Sequence, residues 1–402
     1  MFFLHPNNQL EKKVKGEELF LGLLRGSLWD APQDLKGLAW SHEQYQDVMT
    51  LAKEQALAGL VAQCLMDSGV RLERTDALEV FSLIQQIRKR NAEMDDAVVR
   101  FCLMMADARI RIYVIKGQTL AALYPDPELR QSGDIDFLCH PEDWEKALAL
   151  IEALKIKIEA TNSEKHVEWE RDGVQYEMHR MLTKFAYPKH QRYWDRVVMP
   201  EVLASNDSVG IRTQDPTLLH QTEYSYAVPI LPPTINVLYT FVHIFYHLII
   251  EGIGLRQFCD WAMLLKQQVK GEERLMSNRS CTFDALLLEK HLEGIGLKKA
   301  FTGLGALLTD YMGFPEESFP LEISKEDHQR APKLLENILE RGNFGHNIHY
   351  AQSHGVIHGL QHLWEIGKQA HAFHHYAPTE AWWRIPDMFK WWGIKVWRMA
   401  RK

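Results

Sequence analysis

Val114-Ile115-Lys116-Gly117-Gln118-Thr119-Leu120, followed by Arg130-Gln131-Ser132-Gly133-Asp134-Ile135-Asp136-Phe137-Leu138, is the stretch whose reading decides the fold. Val114 and Ile115 are β-branched and stop at Lys116-Gly117, after which Gln118 to Tyr124 predicts a short helix. A strand, a turn and a helix start leave backbone N–H groups and the positive end of a helix dipole facing outward, an arrangement suited to phosphate. Gly133 permits a tight turn. The alternation that follows predicts a strand with Asp134 and Asp136 on one face and Ile135 and Phe137 on the other. Two carboxylates side by side on a rigid strand repel each other unless a cation lies between them. Mg²⁺, or Mn²⁺, is the natural candidate, since it prefers hard oxygen ligands and shares its shell with phosphates.

A third acid is expected nearby. Gly173-Val174-Gln175-Tyr176-Glu177-Met178-His179 alternates like a strand and puts Glu177 forward, with Glu168 and Glu170 on the neighbouring strand as substitutes. Three carboxylates on adjacent strands can hold one or two Mg²⁺ ions, which clamp the attacking and leaving oxygens of an in-line phosphoryl displacement. An Asp-x-Asp pair alone is weak, because Gly-Asp runs are common in loops; its force comes from Lys116-Gly117 upstream and an acid downstream. Lys116 either ends a strand at the surface or neutralises phosphate oxygens at the turn. Arg130 either does the same or holds the acid cluster in place. Arg256 and Asp260 stand one helical turn apart, where the default is an exposed ion pair worth about 0.3–0.5 kcal/mol. The alternative is that Arg256 leans into the cleft, held by Asp260.

These residues resemble the nucleotidyltransferase superfamily, in which a strand, turn and helix precede an Asp-x-Asp strand and a later acidic strand. Lys116-Gly117, Tyr124-Pro125, Arg130, Gly133-Asp134-Ile135-Asp136 and Glu177-Met178-His179 are similar to an uncharacterised bacterial family labelled nucleotidyltransferase family 5. Gly252-Ile253-Gly254-Leu255-Arg256-Gln257-Phe258-Cys259-Asp260-Trp261 and Gly342-Asn343-Phe344-Gly345 look like that family's later signatures. The likeness extends over most of the chain, roughly residues 15–380. It implies an α+β fold, with a small mixed sheet flanked by N-terminal and C-terminal helical regions. It also implies transfer of a nucleoside monophosphate from an NTP to an acceptor. Asp134, Asp136 and Glu177 would be the catalytic and metal-binding acids, and Lys116, Gly117, Gln118, Thr119, Arg130, Gly133 and Arg256 would surround the nucleotide. One departure counts against turnover. The superfamily usually has Gly-Ser at the phosphate turn, whereas Gln118 follows Gly117 here, which motivates the alternative of a nucleotide-binding sensor or scaffold.

At 402 residues the chain exceeds one comfortable core. Its expected parts are an N-terminal helical region (1–108), the α/β core (109–230) and a C-terminal helical region (231–402). A formal charge of −7 argues against a polyanion-wrapping protein, so a small molecule or a protein is the expected acceptor. The widely spaced Cys64, Cys102, Cys139, Cys259 and Cys281 read as reduced thiols, and the N-terminus shows no basic start or apolar run. Both point to the cytoplasm.

Periodicity predicts helices at Glu17–Leu28, His42–Met66 and Asp76–Ala108, the last with a buried stripe of Phe81, Ile84, Ile87, Met94, Val98, Phe101 and Met105. It then predicts a helix after Pro141, strands at Lys155–Glu159, His166–Glu170 and Val174–His179, and a hairpin turn at Asp172-Gly173. Beyond Pro232-Pro233 helices are expected at Thr234–Ile250, Leu255–Gln268, Thr282–Leu292, Leu297–Tyr311 and Ala331–Arg341.

His243 and His247, one helical turn apart, could ligate a metal but read better as core histidines. His354, His358 and His362, with His346, His349, His371, His374 and His375 nearby, could stack on a helix and bind zinc in a hydrolase-like site. No His-Glu-x-x-His is present, however, and Gly355 and Gly359 weaken the helix. The aromatic and basic segment Trp382 to Arg398 reads as a helix docked on the protein or a partner, with attachment to an anionic membrane as the rarer alternative.

Overall fold

The computed structural model describes residues 6–159, 164–218, 225–250, 252–270, 282–342, 367–384 and 386. Cys281, Asn343-Phe344-Gly345, the histidines from His346 to His362 and the segment beyond 386 lie outside them. The fold is α+β, predominantly helical around a small mixed sheet.

Four helices come first: α1 (Pro6–Leu28), α2 (His42–Glu54), α3 (Ala58–Asp67) and the 34-residue α4 (Arg74–Asp107). The single helix expected over His42–Met66 is broken at Ala56, which takes a left-handed φ of 54°. No glycine or proline marks that break. The Gln55 side chain, fully buried, instead accepts a hydrogen bond from Leu255 N at 2.9 Å and ties the turn to a distant helix. The stripe on α4 is buried from Ile84 to Met105, but Phe81 is 55% exposed, because the helix there extends past the surface it packs against.

The central region runs β1 (Ile112–Val114), α5 (Gln118–Ala121), β2 (Asp134–Cys139), α6 (Trp144–Ala153), β3 (His166–Arg171) and β4 (Val174–His179). The sheet order is β1-β2-β4-β3, with β2 parallel to β4 and the other pairs antiparallel. Asp172 and Gly173 both take positive φ, the geometry of a tight primed turn that matches the strand twist. The strand expected at Lys155–Glu159 does not form. Lys155 leaves α6 with φ 56°, and the segment after it reaches the sheet through Glu159 N to Glu168 O at 2.8 Å.

The chain continues through α7 (Pro188–Tyr193), a π-helical turn (Trp194–Val198) and α8 (Met199–Leu203). A two-stranded ribbon follows, of β5 (Ser208–Arg212) and β6 (Ser225–Pro229). The last helices are α9 (Pro233–Ile250), α10 (Leu255–Lys270), α11 (Ala285–Gly294), α12 (Lys298–Met312) and α13 (Lys325–Arg341), then helical residues 367–373 and 378–384. The helix expected from Ala331 begins earlier, at Lys325, because Ser324 and Asp327 form a reciprocal cap upstream of Pro332.

Alternation along the strands divides the sheet. Ile112, Val114, Ile135, Phe137, Cys139, Trp169, Val174, Tyr176 and Met178 face one core with the second half of α4 and Trp144, Ala147 and Ile151 of α6. Tyr113, Ile115 and Leu138 belong to a second, larger core that takes in residues from α1 through Ala377. At its centre is α9, the described helix that is long and apolar enough to cross a bilayer; 83% of that span is buried in the protein. Cys64, Cys102, Cys139 and Cys259 are buried free thiols.

Candidate active site

The face of the sheet that is not wholly apolar carries the acids. In the parallel register Asp136 is opposite Glu177, and in the antiparallel register Glu177 is opposite Glu168, so three carboxylates form one row across β2, β4 and β3. One oxygen each of Asp134, Asp136 and Glu177 lies within 4.8 Å of the others. Glu168, the substitute for Glu177 weighed from sequence, turns instead to His166, with Oε1 2.5 Å from Nε2.

The cluster is charged in opposite directions at its two aspartates. Repulsion from Asp136, reinforced by burial, pushes the Asp134 carboxyl up to about 6. Asp136 is 3% exposed; burial disfavours its charge, but Lys116 and His179 outweigh that and hold it well below the usual carboxylate range. Lys116 Nζ is 3.1 Å and His179 Nε2 2.9 Å from the same oxygen, Asp136 Oδ1. Burial works against the Lys116 ammonium too, yet Asp136, with Asp134 and Glu177 further off, keeps its pKa above the ordinary lysine value. From α9, Tyr239 and His243 complete the surroundings. Burial raises Tyr239, and burial together with Lys116 holds His243 neutral, well below its ordinary pKa.

Gly117 turns the chain between β1 and α5 with φ 62° and ψ −122°, a conformation that favours glycine, and an added Cβ would stand 3.4 Å from Asp134 O. Gly133 has no such need: its φ is not positive and a Cβ there meets nothing within 4 Å. The Gln118 and Thr119 side chains turn away from the acids. Gln118 Nε2 donates to the Asp95 carboxylate on α4, and the Thr119 hydroxyl donates to Lys116 O at 2.9 Å.

The arginines exchange the partners expected of them. Asp260 is taken by Arg130, with Nε 2.6 Å from Oδ1 and Nη2 2.7 Å from Oδ2, and it also accepts from Tyr124 OH at 2.7 Å. Arg130 and Asp260 are both nearly fully buried, so this pair fastens α10 to the loop before β2. Arg256 makes no intrahelical pair with Asp260. Its Nη1 donates to Gln131 O at 2.6 Å, its buried Nε has no partner among the described residues, and burial with the nearby Arg130 lowers its pKa.

Lys116, Gly117, Arg130, Gly133, Asp134, Asp136, Glu177 and Arg256 thus line one cleft of about 510 Å³, while Gln118 and Thr119 do not. His179, Tyr239 and His243 are residues the sequence reading left out of the site. Only the Glu-x-His spacing on β4 signalled the first, since it puts both side chains on one face. At the other end of the chain His374 Nδ1 meets His371 O at 2.6 Å, and His375 Nε2 lies 3.5 Å from Glu326 on α13. Among the described residues the groups able to hold an ion are both on the sheet.

The strand, glycine turn, short helix and later acidic strands follow one another in the order that the sequence resemblance implies. The chain belongs to the family described as uncharacterised nucleotidyltransferase, whose model matches residues 41–278, from α2 to the end of α10 and slightly beyond. No curated protein and no solved structure matches it.

Proposed function

We propose that the protein transfers a nucleoside monophosphate from an NTP to an acceptor hydroxyl, releasing pyrophosphate, with Asp134, Asp136 and Glu177 as ligands of Mg²⁺ or Mn²⁺. The observation that carries this reading is the convergence of the three carboxylates beside Lys116 and Gly117. The donor set is all oxygen, and Asp134 is forced towards its protonated form by Asp136, so the residues fit a hard dication. Such an ion, when bound, neutralises phosphate charge and makes the acceptor oxygen more acidic.

The chain's own groups have separable tasks. Lys116, already an ammonium on Asp136, neutralises non-bridging phosphate oxygens beside the Gly117 turn, which lines the same cleft. Arg256, with an uncommitted Nε, meets the distal phosphates. Arg130 acts at one remove, holding Asp260 and Ser132 so that the loop into β2 keeps its course. His179 fixes the Asp136 carboxylate through Nε2. Glu168 and Gln175 line the end of the cleft left for the acceptor, a small molecule or a protein side chain.

Binding of labelled NTP in Mg²⁺ or Mn²⁺ tests the reading: the wild type binds, and Asp134→Asn/Asp136→Asn loses all metal-dependent binding. A wild type that binds no NTP with either metal ends it. One observation favours a second reading, a sensor that binds nucleotide without turnover. Gln118 turns its side chain into α4 and offers nothing in place of the missing serine hydroxyl. Mass spectrometry of cell extracts incubated with protein and NTP separates the two, since a sensor leaves every acceptor unmodified.

A further inference from the structure

Away from the cleft, the surface carries two adjacent tryptophans. Trp382 and Trp383, 48% and 45% exposed, stand on the helical residues 378–384. Large apolar side chains scattered singly are normal on a surface, whereas a contiguous pair points to a partner. The turn that bears them is fixed to the body of the protein. Glu380, fully buried, accepts hydrogen bonds from Ala186 N at 2.9 Å, Tyr187 N at 3.2 Å and Tyr246 OH at 2.6 Å, and its Oε1 is 2.6 Å from His190 Nδ1. The Trp383 ring in turn meets the Tyr187 ring, with centroids 5.3 Å apart.

A row of cations begins beside that contact. The helical stretch after Tyr187, through α7 and the π-helical turn, buries His190, Trp194 and Val198 at four-residue spacing and so turns Lys189, Arg192 and Arg196 outward. All three are exposed, and none pairs with a carboxylate among the described residues. Asp195, exposed on the same stretch, accepts instead from Gln191 Nε2 at 2.8 Å.

We propose that this face, with Trp382 and Trp383 beside Lys189, Arg192 and Arg196, seats the protein on an anionic lipid bilayer, and that the segment after Arg384 adds to the same attachment.

That segment lies outside the described residues apart from Pro386, but its composition calls for the same partner. From Met388 to Lys402 it holds five basic residues and no acid, in a chain whose formal charge is −7, and it interleaves Trp391, Trp392 and Trp397 with Ile394 and Val396. Tryptophan favours the headgroup level of a bilayer, aliphatic side chains the acyl boundary, and lysine and arginine the anionic headgroups. An acidic body with one basic, aromatic face is also oriented by the field of such a surface. Single-stranded nucleic acid takes aromatic and basic side chains as well, but it gains nothing from Ile394 and Val396. Docking back on the chain would cover the tryptophan pair, which is exposed. A second copy seated on the same face would set its own three cations against these.

Tag-free full-length protein is sedimented with vesicles of phosphatidylcholine alone and of phosphatidylcholine with about one-third phosphatidylglycerol. The expected result is binding to the mixed vesicles at least about tenfold tighter than to the neutral ones, weakened by salt, with tryptophan fluorescence quenched by brominated lipid. Trp382→Ala/Trp383→Ala reduces the quenching, and Arg192→Glu/Arg196→Glu lowers affinity for the mixed vesicles more than about tenfold. None of these residues lines the cleft, and an unchanged thermal unfolding transition shows that each variant is folded. If the charge reversal unfolds the protein, Lys189→Gln/Arg192→Gln carries the same test. No binding to the mixed vesicles, equal binding to the neutral ones, or affinity unchanged in the folded basic-row variant overturns the proposal. A single-stranded oligonucleotide that binds more tightly and displaces the vesicles overturns it in favour of a nucleic-acid face.

Discussion

The two faces of the four-stranded sheet are made by alternate residues of the same strands and do opposite things. On one, Phe137 packs against Phe101 with ring centroids 4.3 Å apart, and Trp169 stacks on Tyr176 at 5.6 Å. On the other, Asp134, Asp136 and Glu177 crowd together. The aromatic face contributes apolar burial, of the order of 1.5–3 kcal/mol for each large side chain. The acid face gathers like charges that oppose folding unless cations compensate them, and Lys116 and His179 do so most closely for Asp136, leaving Asp134 raised. The comparison teaches that the site is held in place by stability built on its reverse side.

The sharpest way to break that comparison is to exchange the roles of neighbouring positions on β2. Phe137→Ala is expected to lose about 3–5 kcal/mol of stability in a denaturant titration, with nucleotide affinity of the remaining folded protein within about threefold of wild type. Asp134→Asn should do the reverse. With the repulsion from Asp136 removed it gains about 0.5–2 kcal/mol at pH 7, while metal-dependent nucleotide affinity falls more than about a hundredfold. If Asp134→Asn destabilises the protein, the charged face is not the strained one.

The Arg130–Asp260 pair extends the test to the helical layer. Asp260→Leu strands a buried guanidinium and is expected to cost about 3–5 kcal/mol. The double variant Arg130→Met/Asp260→Leu should recover most of that loss, yet leave nucleotide binding weakened, because the loop into β2 loses its tie to Ser132. Additive losses in the double-mutant cycle would sink the idea that the two side chains act as a unit.

Much of the site could be read from the chain because it depends on local periodicity. Asp134 and Asp136 share a face by the two-residue repeat, Gly117 takes the left-handed turn beside them, and the alternation of β4 delivers Glu177. What sequence did not reveal depends on partners far away in the chain. Asp260 is one turn from Arg256 but binds Arg130, which is 130 residues away, because a bidentate buried geometry is available there. Ala56 breaks a helix that its own periodicity would continue, beside a Gln55 side chain that accepts from the distant Leu255 N–H. Gln118 points at Asp95, a residue whose part in the fold has no local signature.

The Asp95 carboxylate that Gln118 contacts gives the molecule a pH dependence away from the acid cluster. Burial pushes the Asp95 carboxyl up to about 7, a shift that the hydrogen bond from Gln118 only partly offsets. A raised folded-state pKa means that the folded protein binds more protons than the unfolded chain between the ordinary carboxylate value and about 7. Stability should therefore fall as pH rises across that window and level off above it. Asp95→Asn keeps the shape and the contact with Gln118 but cannot ionise, so the difference between its unfolding curve and that of the wild type should grow from pH 4 to pH 7. Curves that stay parallel would show that Asp95 is charged throughout.

The smallest expected effect separates the two glycines that flank the site. Gly117→Ala forces a side chain into φ 62° and brings Cβ to 3.4 Å from Asp134 O, for a loss of about 1 kcal/mol or more. Its larger consequence should be for the ligand, since any shift of that carbonyl moves the start of β2. Gly133→Ala adds a methyl group where nothing lies within 4 Å and where φ is not left-handed, so stability should stay within about 0.5 kcal/mol of wild type. Thermal unfolding of both variants, with and without Mg²⁺ and NTP, reads the difference. Equal losses would mean that the turn before β2 is as constrained as the turn after β1. In that case the acids would be aimed from both ends of the strand and not only through the Gly117 contact.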